Sequence, residues 1–452
     1  MAHRLLARLL IARNDIALAT EETLKALGPA DTRKDDDYLS LTAEFGQGAS
    51  GTSLPRVLTR VRALSPPSTA LDLAIAASAL GAGDNDLAID AAARARNPAA
   101  PVPADALIAR GLVARGDIKA GLDLLESHLG AQAGPELQLE HVRLLAAADR
   151  RSEAISAVDD IATKYPGQPA VIRLKALLSL DAGDRKTAWE QFNLLLANQQ
   201  FVDECLLYLG QIAEKEAAFD DALRVYGRIG DGPQAHAALM GMVRISEKNG
   251  DFKSALDRID DYAKDYPRHA LDALRDKAGV YQRASQPQNS LAALDEVLKY
   301  QPDDVALRLA RSEILESLGR TGDALSDLRA AVARAPDNAL VLNALGYTLA
   351  NRTSDKTSAY RFVRRALEIE PENPAILDSL GWVYFRQGRL EEARSYLQAA
   401  FSAFPDAEVA AHLGEVAWRQ GDHEDALRIW RDALEKSPNS RPLQEVMARL
   451  VK

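Results

Sequence analysis

The sequence predicts an all-α fold, a superhelical solenoid of about 13 antiparallel helix pairs. Three periodic features indicate this fold. Small residues recur every 33 to 35 positions, at Ala154, Ala188, Ala222, Ala255, Ser290, Ala324, Ala359, Ala393 and Ala426. Prolines recur in step with them, at Pro267, Pro302, Pro336, Pro371, Pro405 and Pro438. Turn residues that precede a small residue by five positions continue the pattern upstream, as Asn14 with Ala19, Gly48 with Ser53, Gly83 with Ala88 and Gly116 with Gly121. A period of about 34 residues is typical of helix–turn–helix units that bury their apolar faces by stacking on one another.

The segment 374–406 shows one such unit clearly, because its apolar residues recur three and four positions apart in two successive stretches. Gly381 lies on the apolar face of the first stretch and Ala393 on that of the second. Gly414 and Ala426 repeat the combination one unit later. Because these side chains are so small, we expect the two helices of each unit to cross at short range. A leucine at the crossing would overpack it at a cost of roughly 1–3 kcal/mol.

The regularity of the repeats divides the chain into three segments. Residues 1–150 carry degenerate helical repeats, residues 151–440 carry a regular array, and residues 441–452 form one more helix. That last helix has Arg441, Glu445 and Arg449 spaced four apart, which suits a cap with one solvated face. The open end of a solenoid requires such a cap.

Composition argues against several classes of protein. Hydrophobic residues make up 47% and charged residues 27% of the 452 positions, as in a folded globular chain. The 65 acidic residues exceed the 55 basic residues, and a formal net charge of −10 argues against non-specific nucleic-acid binding. The one cysteine, Cys205, excludes an intramolecular disulfide. Arg4, Arg8 and Arg13 interrupt the apolar N-terminal stretch, so we expect neither a signal-peptide core nor a membrane span there.

A search for catalytic and cofactor motifs returns one string, and its context argues against a site. No two of the seven histidines lie three or four positions apart, as a helical zinc pair requires, and the phosphate-binding loop and the nucleophile elbow are both missing. Residues 46–51 spell G-x-G-x-x-G, but the string lies between two predicted helices rather than after a strand, so we interpret it as a flexible turn. We therefore expect a non-enzymatic protein without a metal ion or cofactor.

The repeated residue set resembles the tetratricopeptide repeat, from about Ala154 to Pro438. Leu377 and Ala410 stand where the family pattern has tryptophan. The resemblance implies a right-handed superhelix in which the first helix of each pair lines the concave inner surface. Chaperone-tail clamps of this family need Lys and Asn at set inner positions, and Asp378 and Trp382 occupy such positions here. The resemblance thus does not extend to that kind of clamp.

The inner positions that the resemblance implies include four aromatic residues and two arginines. These residue types dominate binding hot spots, so we predict a partner-binding patch formed by Tyr347, Trp382, Phe385, Arg386, Trp418 and Arg419. The alternative is that the rings pack between neighbouring helices as core. Both interpretations stay open on the sequence alone.

The stretch from Asn343 to Leu434 also resembles a narrower family. The strings Asn343–Ala350 (NALGYTLA), Ile376–Arg386 (ILDSLGWVYFR) and His412–Val416 (HLGEV) resemble the C-terminal part of bacterial tetratricopeptide lipoproteins. Members of that family are lipid-anchored at the outer membrane and face the periplasm, and one is an adaptor that helps a carboxy-terminal processing protease to degrade cell-wall hydrolases.

This narrower resemblance implies an adaptor that binds and activates such a protease and helps to deliver its substrates. It also implies a periplasmic location at the outer membrane. Because Cys205 is internal, any lipid anchor would lie outside this chain. The alternative is a general scaffold for assembling an envelope or cytosolic complex.

Overall fold

A computed structural model describes residues 2–46, 53–130 and 133–451 of the chain. Within those residues it contains 27 α-helices, two short 3-10 helices and no named β-strand. The predicted all-α array of about 13 helix pairs followed by a single terminal helix is confirmed. The turn predicted at Gly48 and the G-x-G-x-x-G string beyond Gly46 lie outside the described residues, so the interpretation of that string as a turn stays a prediction.

The chain divides into two compact units, residues 1–238 and 239–452. The N-terminal unit contains α1 (Ala2–Ala12), α2 (Ile16–Leu27), α3 (Asp35–Gly46), α4 (Ser53–Ala63), α5 (Thr69–Gly81), α6 (Asn85–Ala95), α7 (Val102–Arg115), α8 (Ile118–Glu126), α9 (Pro135–Ala147), α10 (Arg151–Lys164), α11 (Pro169–Asp181), α12 (Arg185–Ala197), α13 (Val202–Lys215) and α14 (Phe219–Tyr226). The division falls within α15 (Ala235–Lys248). This division does not test the predicted change from degenerate to regular repeats at residue 150.

The C-terminal unit continues with twelve helices. They are α16 (Phe252–Asp265), α17 (Ala270–Arg283), α18 (Pro287–Tyr300), α19 (Val305–Ser317), α20 (Thr321–Arg334), α21 (Ala339–Arg352), α22 (Lys356–Ile369), α23 (Pro374–Arg386), α24 (Leu390–Ala403), α25 (Ala407–Arg419), α26 (His423–Lys436) and α27 (Arg441–Leu450). The 3-10 helices are Ala30–Thr32 and Pro267–His269.

Glycine and aspartate define the turns inside many pairs. Gly388 and Gly421 have φ values of 79° and 91°, in the left-handed region that glycine enters without a steric penalty. Asp422 follows the second of these turns, and its side chain caps α26 by accepting a hydrogen bond from the backbone N–H of Asp425. The same Gly–Asp step precedes α12, where Asp184 caps the helix. The turn thus ends one helix and starts its antiparallel partner.

The two helices of a pair cross closely at a glycine of the first helix, as predicted. A Cβ placed on Gly381 would lie 2.6 Å from Leu397 Cγ and 3.1 Å from the carbonyl oxygen of Ala393. A Cβ on Gly414 would overlap the indole ring of Trp430, which is fully buried. A methyl group at either crossing therefore requires the partner helix to move.

Apolar cores run through both units. In the C-terminal unit one cluster extends from Leu325 to Val446, with Trp430 as its largest fully buried side chain. The N-terminal unit has separate clusters along its length. Cys205 belongs to one of them, and burial raises the pKa of its thiol to about 11.

Candidate partner-binding surface

The first helices of three successive pairs form one layer in the C-terminal unit. Helix α21 contacts α23, and α23 contacts α25, while each also packs against the second helix of its own pair. We call α21, α23 and α25 the first-helix layer. It carries all six residues that the sequence predicts for partner binding.

A pocket of about 320 Å³ opens between the three helices of this layer. Its polar lining consists of Asn343, Tyr347, Asp378, Ser379, Asp406 and Glu408. Phe404 and Val409 contribute to its apolar side. Three of the lining residues are carboxylates, and no Lys, Arg or His is among the lining residues that the structure describes. The pocket is therefore acidic on one side and apolar on the other.

A buried ion pair lies beside this pocket. His412 Nδ1 on α25 lies 2.9 Å and 3.2 Å from the two carboxylate oxygens of Asp378 on α23, and both residues are 8% exposed. Burial alone would lower the pKa of His412, but the carboxylates of Asp378, Glu408 and Glu415 outweigh it, so the pKa of His412 is raised. The imidazolium form is thus favoured, and it links two successive first helices.

The Tyr347 hydroxyl is held as a hydrogen-bond donor in the pocket. It donates to Glu408 Oε1 at 3.2 Å, which joins α21 to α25. Burial, together with the negative charges of Glu408 and Asp378, raises the pKa of Tyr347 above its ordinary value. The phenol therefore stays neutral at physiological pH and continues to orient the Glu408 carboxylate.

Two of the other predicted residues form an aromatic stack. The Trp382 ring lies between Phe385, with centroids 4.8 Å apart, and His412, with centroids 4.1 Å apart. Trp382 is only 7% exposed, so it presents little surface to a partner. In the described part of the chain its Nε1 has no hydrogen-bond partner. The core interpretation describes the position of Trp382 well, whereas Tyr347 borders an open pocket.

The remaining predicted residues do not join that stack. Trp418 is half-buried against His423 and Trp430, with ring centroids 4.1 Å and 5.8 Å away. Arg386 donates from Nη1 to the Asn351 carbonyl oxygen at 3.4 Å. Arg419 is exposed, with no ion-pair partner in the part of the chain that the structure describes. Partner binding by the six residues stays a prediction.

The sequence analysis did not single out Asp378, His412 and Glu408 as a group. A usable signal was present, because Asp378 and His412 are 34 positions apart, the repeat interval itself. Glu415 and Arg449 are also 34 apart, and they form an ion pair of 2.6 Å. Opposite charges spaced by one repeat on first helices therefore predict contacts between successive units.

The described residues contain neither a candidate metal-binding cluster nor a candidate membrane-spanning helix. No group of three or more His, Cys, Asp or Glu side chains there is arranged to hold a metal ion. None of the helices in residues 2–46, 53–130 and 133–451 combines the length and the apolar character that a bilayer crossing needs.

A family model for the tetratricopeptide repeat matches residues 275–339, 315–374 and 379–441, all of which lie in the C-terminal unit. The TPR repeat-containing protein PA4667 of Pseudomonas aeruginosa is 37% identical over 214 residues, which are 47% of this chain and 36% of that protein. The chain thus spans about a third of that relative's length.

Two further similarities are more distant. The protein O-mannosyl-transferase TMTC1 of Homo sapiens is 22% identical over 190 residues, which are 40% of this chain and 21% of that protein. A crystal structure of the APC/C hetero-tetramer Cut9–Hcn1 superimposes with a TM-score of 0.42 at 14% identity, covering 93% of this chain and 97% of that one.

Proposed function

We propose that this chain, whose C-terminal unit matches the tetratricopeptide-repeat model over residues 275–339, 315–374 and 379–441, is a protein-binding adaptor whose partner docks on the first-helix layer. The observation that carries the proposal is the pocket between α21, α23 and α25, where unpaired carboxylates and an exposed aromatic ring meet. Such a combination of charge and apolar surface is what a polypeptide segment with an anchor side chain requires.

The proposed partner is a carboxy-terminal processing protease, with this chain activating it and delivering cell-wall hydrolase substrates at the periplasmic face of the outer membrane. The support for this finer proposal is the resemblance of the stretch from Asn343 to Leu434 to lipoprotein adaptors of that kind. The proposal assigns chemistry to the protease and only binding to this chain.

A titration with purified components tests the proposal. The chain is added to a processing protease and a hydrolase substrate, and the rate of cleavage is measured together with complex formation by size-exclusion chromatography. We expect a stable complex and a cleavage rate that rises and then saturates with the concentration of the chain. A complex without faster cleavage would support a scaffold that does not activate, and the lack of any complex would contradict the protease as partner.

A matched pair of variants locates the docking surface in the same assay. Tyr347→Ala removes a ring at the pocket, whereas Tyr300→Ala removes a ring that is 66% exposed at the end of α18. We expect complex formation to weaken about tenfold or more for the first variant, the loss typical of a binding hot spot. The second variant should bind as the unchanged chain does.

A further inference from the structure

We propose that the pocket between α21, α23 and α25 is a subsite for one cationic side chain, arginine above lysine, of the polypeptide that docks there. This inference rests on the proposed adaptor function and names the chemistry that the docking surface selects. It is carried by the unused acceptors, the apolar side and the size of the pocket.

The pocket presents carboxylate oxygens that no described residue uses. Asp406 caps α25 with Oδ1, which accepts from the backbone N–H of Glu408 at 2.7 Å. Oε1 of Glu408 accepts a hydrogen bond from the Tyr347 hydroxyl. The second oxygen of each carboxylate has no hydrogen bond or ion pair with any described residue. Neither carboxylate has a Lys, Arg or His side chain at ion-pair distance among the described residues, since His412 hydrogen-bonds to Asp378. The charge of His412 also attracts Glu408, but without such a contact.

A third acceptor points to the same ligand chemistry. Asn343 Oδ1 is buried at the pocket and accepts no hydrogen bond within the described residues. A buried acceptor without a donor destabilises the chain, and a donor supplied by a ligand would remove that cost. A guanidinium group carries five N–H donors in a planar fork and no acceptor, so it matches this set of oxygens better than any other side chain.

The apolar side of the pocket suits the stem of the same side chain. Phe404 lies between α24 and α25 with 61% of its surface exposed, and it lines the pocket together with Pro374 and Val409. Long cationic side chains bury their methylene groups on such surfaces and place the charged end at a polar rim. Phe404 and Tyr347 are aromatic lining residues, and a guanidinium group is attracted to the face of such a ring.

The volume of the pocket and the negative charge of its lining residues exclude other kinds of occupant. A pocket of about 320 Å³ is at the lower end of the range for small-molecule sites, so it fits one long side chain rather than a folded segment. A terminal carboxylate or a phosphorylated residue would meet three carboxylates and no cation among the lining residues. A partner segment with an arginine is therefore the occupant that the charges select.

The test uses four fluorescent peptides that differ at one central position. The probe is acetyl-GALFGXGFLAG-amide with X as arginine, lysine, citrulline or glutamate, and fluorescence anisotropy with the full chain measures its affinity at about 50 mM salt, where charge pairs are weakly screened. Citrulline keeps the shape of arginine and removes its charge. We expect arginine to bind most tightly, citrulline about tenfold more weakly, and glutamate weakest.

Two variants that each remove one negative charge show whether the preference for arginine depends on the pocket. Glu408→Gln keeps an oxygen for the Tyr347 hydroxyl and removes the charge, so it should reduce the preference for arginine over citrulline about three- to tenfold. The matched control is Glu435→Gln, an exposed change on α26 that should leave the preference unaltered. Thermal unfolding of both variants confirms that each remains folded.

Equal affinity of the arginine and citrulline peptides would overturn the cationic subsite, as would an unchanged preference in the Glu408→Gln variant. A preference for the glutamate peptide would show an anionic partner instead. Binding of none of the four peptides also overturns the subsite. The protease titration decides the adaptor proposal separately, because it can succeed through other residues of the first-helix layer.

Discussion

Two buried carboxylates, one in each unit of the chain, are neutralised by different kinds of partner. In the N-terminal unit, Asp72 is 3% exposed and lies between Arg62 and Arg94, with Nε–Oδ distances of 3.1 Å and 3.2 Å. In the C-terminal unit, Asp378 is held by His412, whose charge depends on pH. Arginine stays charged at any physiological pH, so the first arrangement is a fixed link between helices. The second is a titratable link at the edge of an open pocket.

Carboxylates that link helices through ion pairs differ from carboxylates whose negative charge is free to bind a partner. Glu140 in the N-terminal unit is also held by arginines, Arg110 and Arg143, and its pKa is lowered because these ion pairs outweigh the effect of burial. Asp406 and Glu408 in the C-terminal unit have no arginine partner among the residues that the structure describes. The repeat-family matches fall on the same unit as these unpaired carboxylates. We infer that the C-terminal unit is where the repeats bind a partner.

The largest expected effect tests the apolar cluster that extends from Leu325 to Val446 in the C-terminal unit. Trp430 is fully buried, and its Nε1 donates to the Ala411 carbonyl oxygen at 3.3 Å. Trp430→Ala should lower the free energy of unfolding by roughly 3–5 kcal/mol, measured by urea denaturation with circular dichroism. Trp418→Ala, on the first helix of the same pair, is the control, because Trp418 is half-buried and should cost clearly less. Equal costs would mean that the core does not depend on Trp430.

The next largest expected loss of stability tests the close crossing of the two helices within a pair. A Cβ on Gly346 would lie 2.9 Å from the carbonyl oxygen of Ala359 and 3.0 Å from the backbone nitrogen of Val363, atoms that cannot move independently of α22. Gly346→Ala should therefore cost near 3 kcal/mol, the upper end of the usual range of roughly 1–3 kcal/mol for overpacking. Gly322→Ala adds its methyl group in open space on α20 and should not destabilise the unit. Loss of stability in both variants would contradict a specific role for the crossing.

The fixed charge link of the N-terminal unit should contribute less. Replacing both Arg62 and Arg94 with methionine leaves the Asp72 carboxylate buried and unpaired. Because the two arginines are 25% and 44% exposed, we expect about 2 kcal/mol, below the roughly 3–5 kcal/mol of a fully buried pair. Arg115→Met removes an exposed ion-pair partner of Asp117 and should cost much less than the double replacement in the same denaturation assay.

The Asp378–His412 pair should make the stability of the chain depend on pH. The pKa of His412 is raised in the folded chain, so its stabilising contribution is complete below the unfolded value near 6.5 and is lost as pH rises through the folded pKa. The stability difference between the unchanged chain and His412→Gln should therefore shrink as the pH rises above about 6.5. The corresponding difference for the Arg62 and Arg94 double variant should stay constant over the same rise in pH. A constant difference for His412 would contradict a charged Asp378–His412 pair.

The sequence predicted the architecture because the repeat period is a property of the chain itself. The small residues Gly381 and Ala393 mark a crossing that the structure places in direct contact, and Gly388 marks the turn between their helices. Whether the Trp382 ring is exposed or packed between helices could not be predicted in the same way. Its spacing places it on the inner side of α23, but only the packed structure shows His412 of the next unit stacked on its ring.

The pocket was the least predictable feature. Its residues come from three helices and the turn before α25, and none of the local patterns relates Asn343 to Asp406. The repeat interval between Asp378 and His412 was visible in the sequence, but the sequence does not show which of the many acidic residues remain unpaired. That property depends on the distances between side chains of successive units.

Site-specific crosslinking tests the central claim most directly. A photoreactive benzophenone amino acid replaces Ala375, an exposed residue at the pocket on α23, or Gln398, an exposed residue on the second helix α24, and each variant is irradiated with the purified processing protease. We predict that position 375 crosslinks to one segment of the partner that contains an arginine, and that position 398 does not crosslink. Crosslinking at position 398 without crosslinking at position 375 would contradict the claim that the first-helix layer binds the partner.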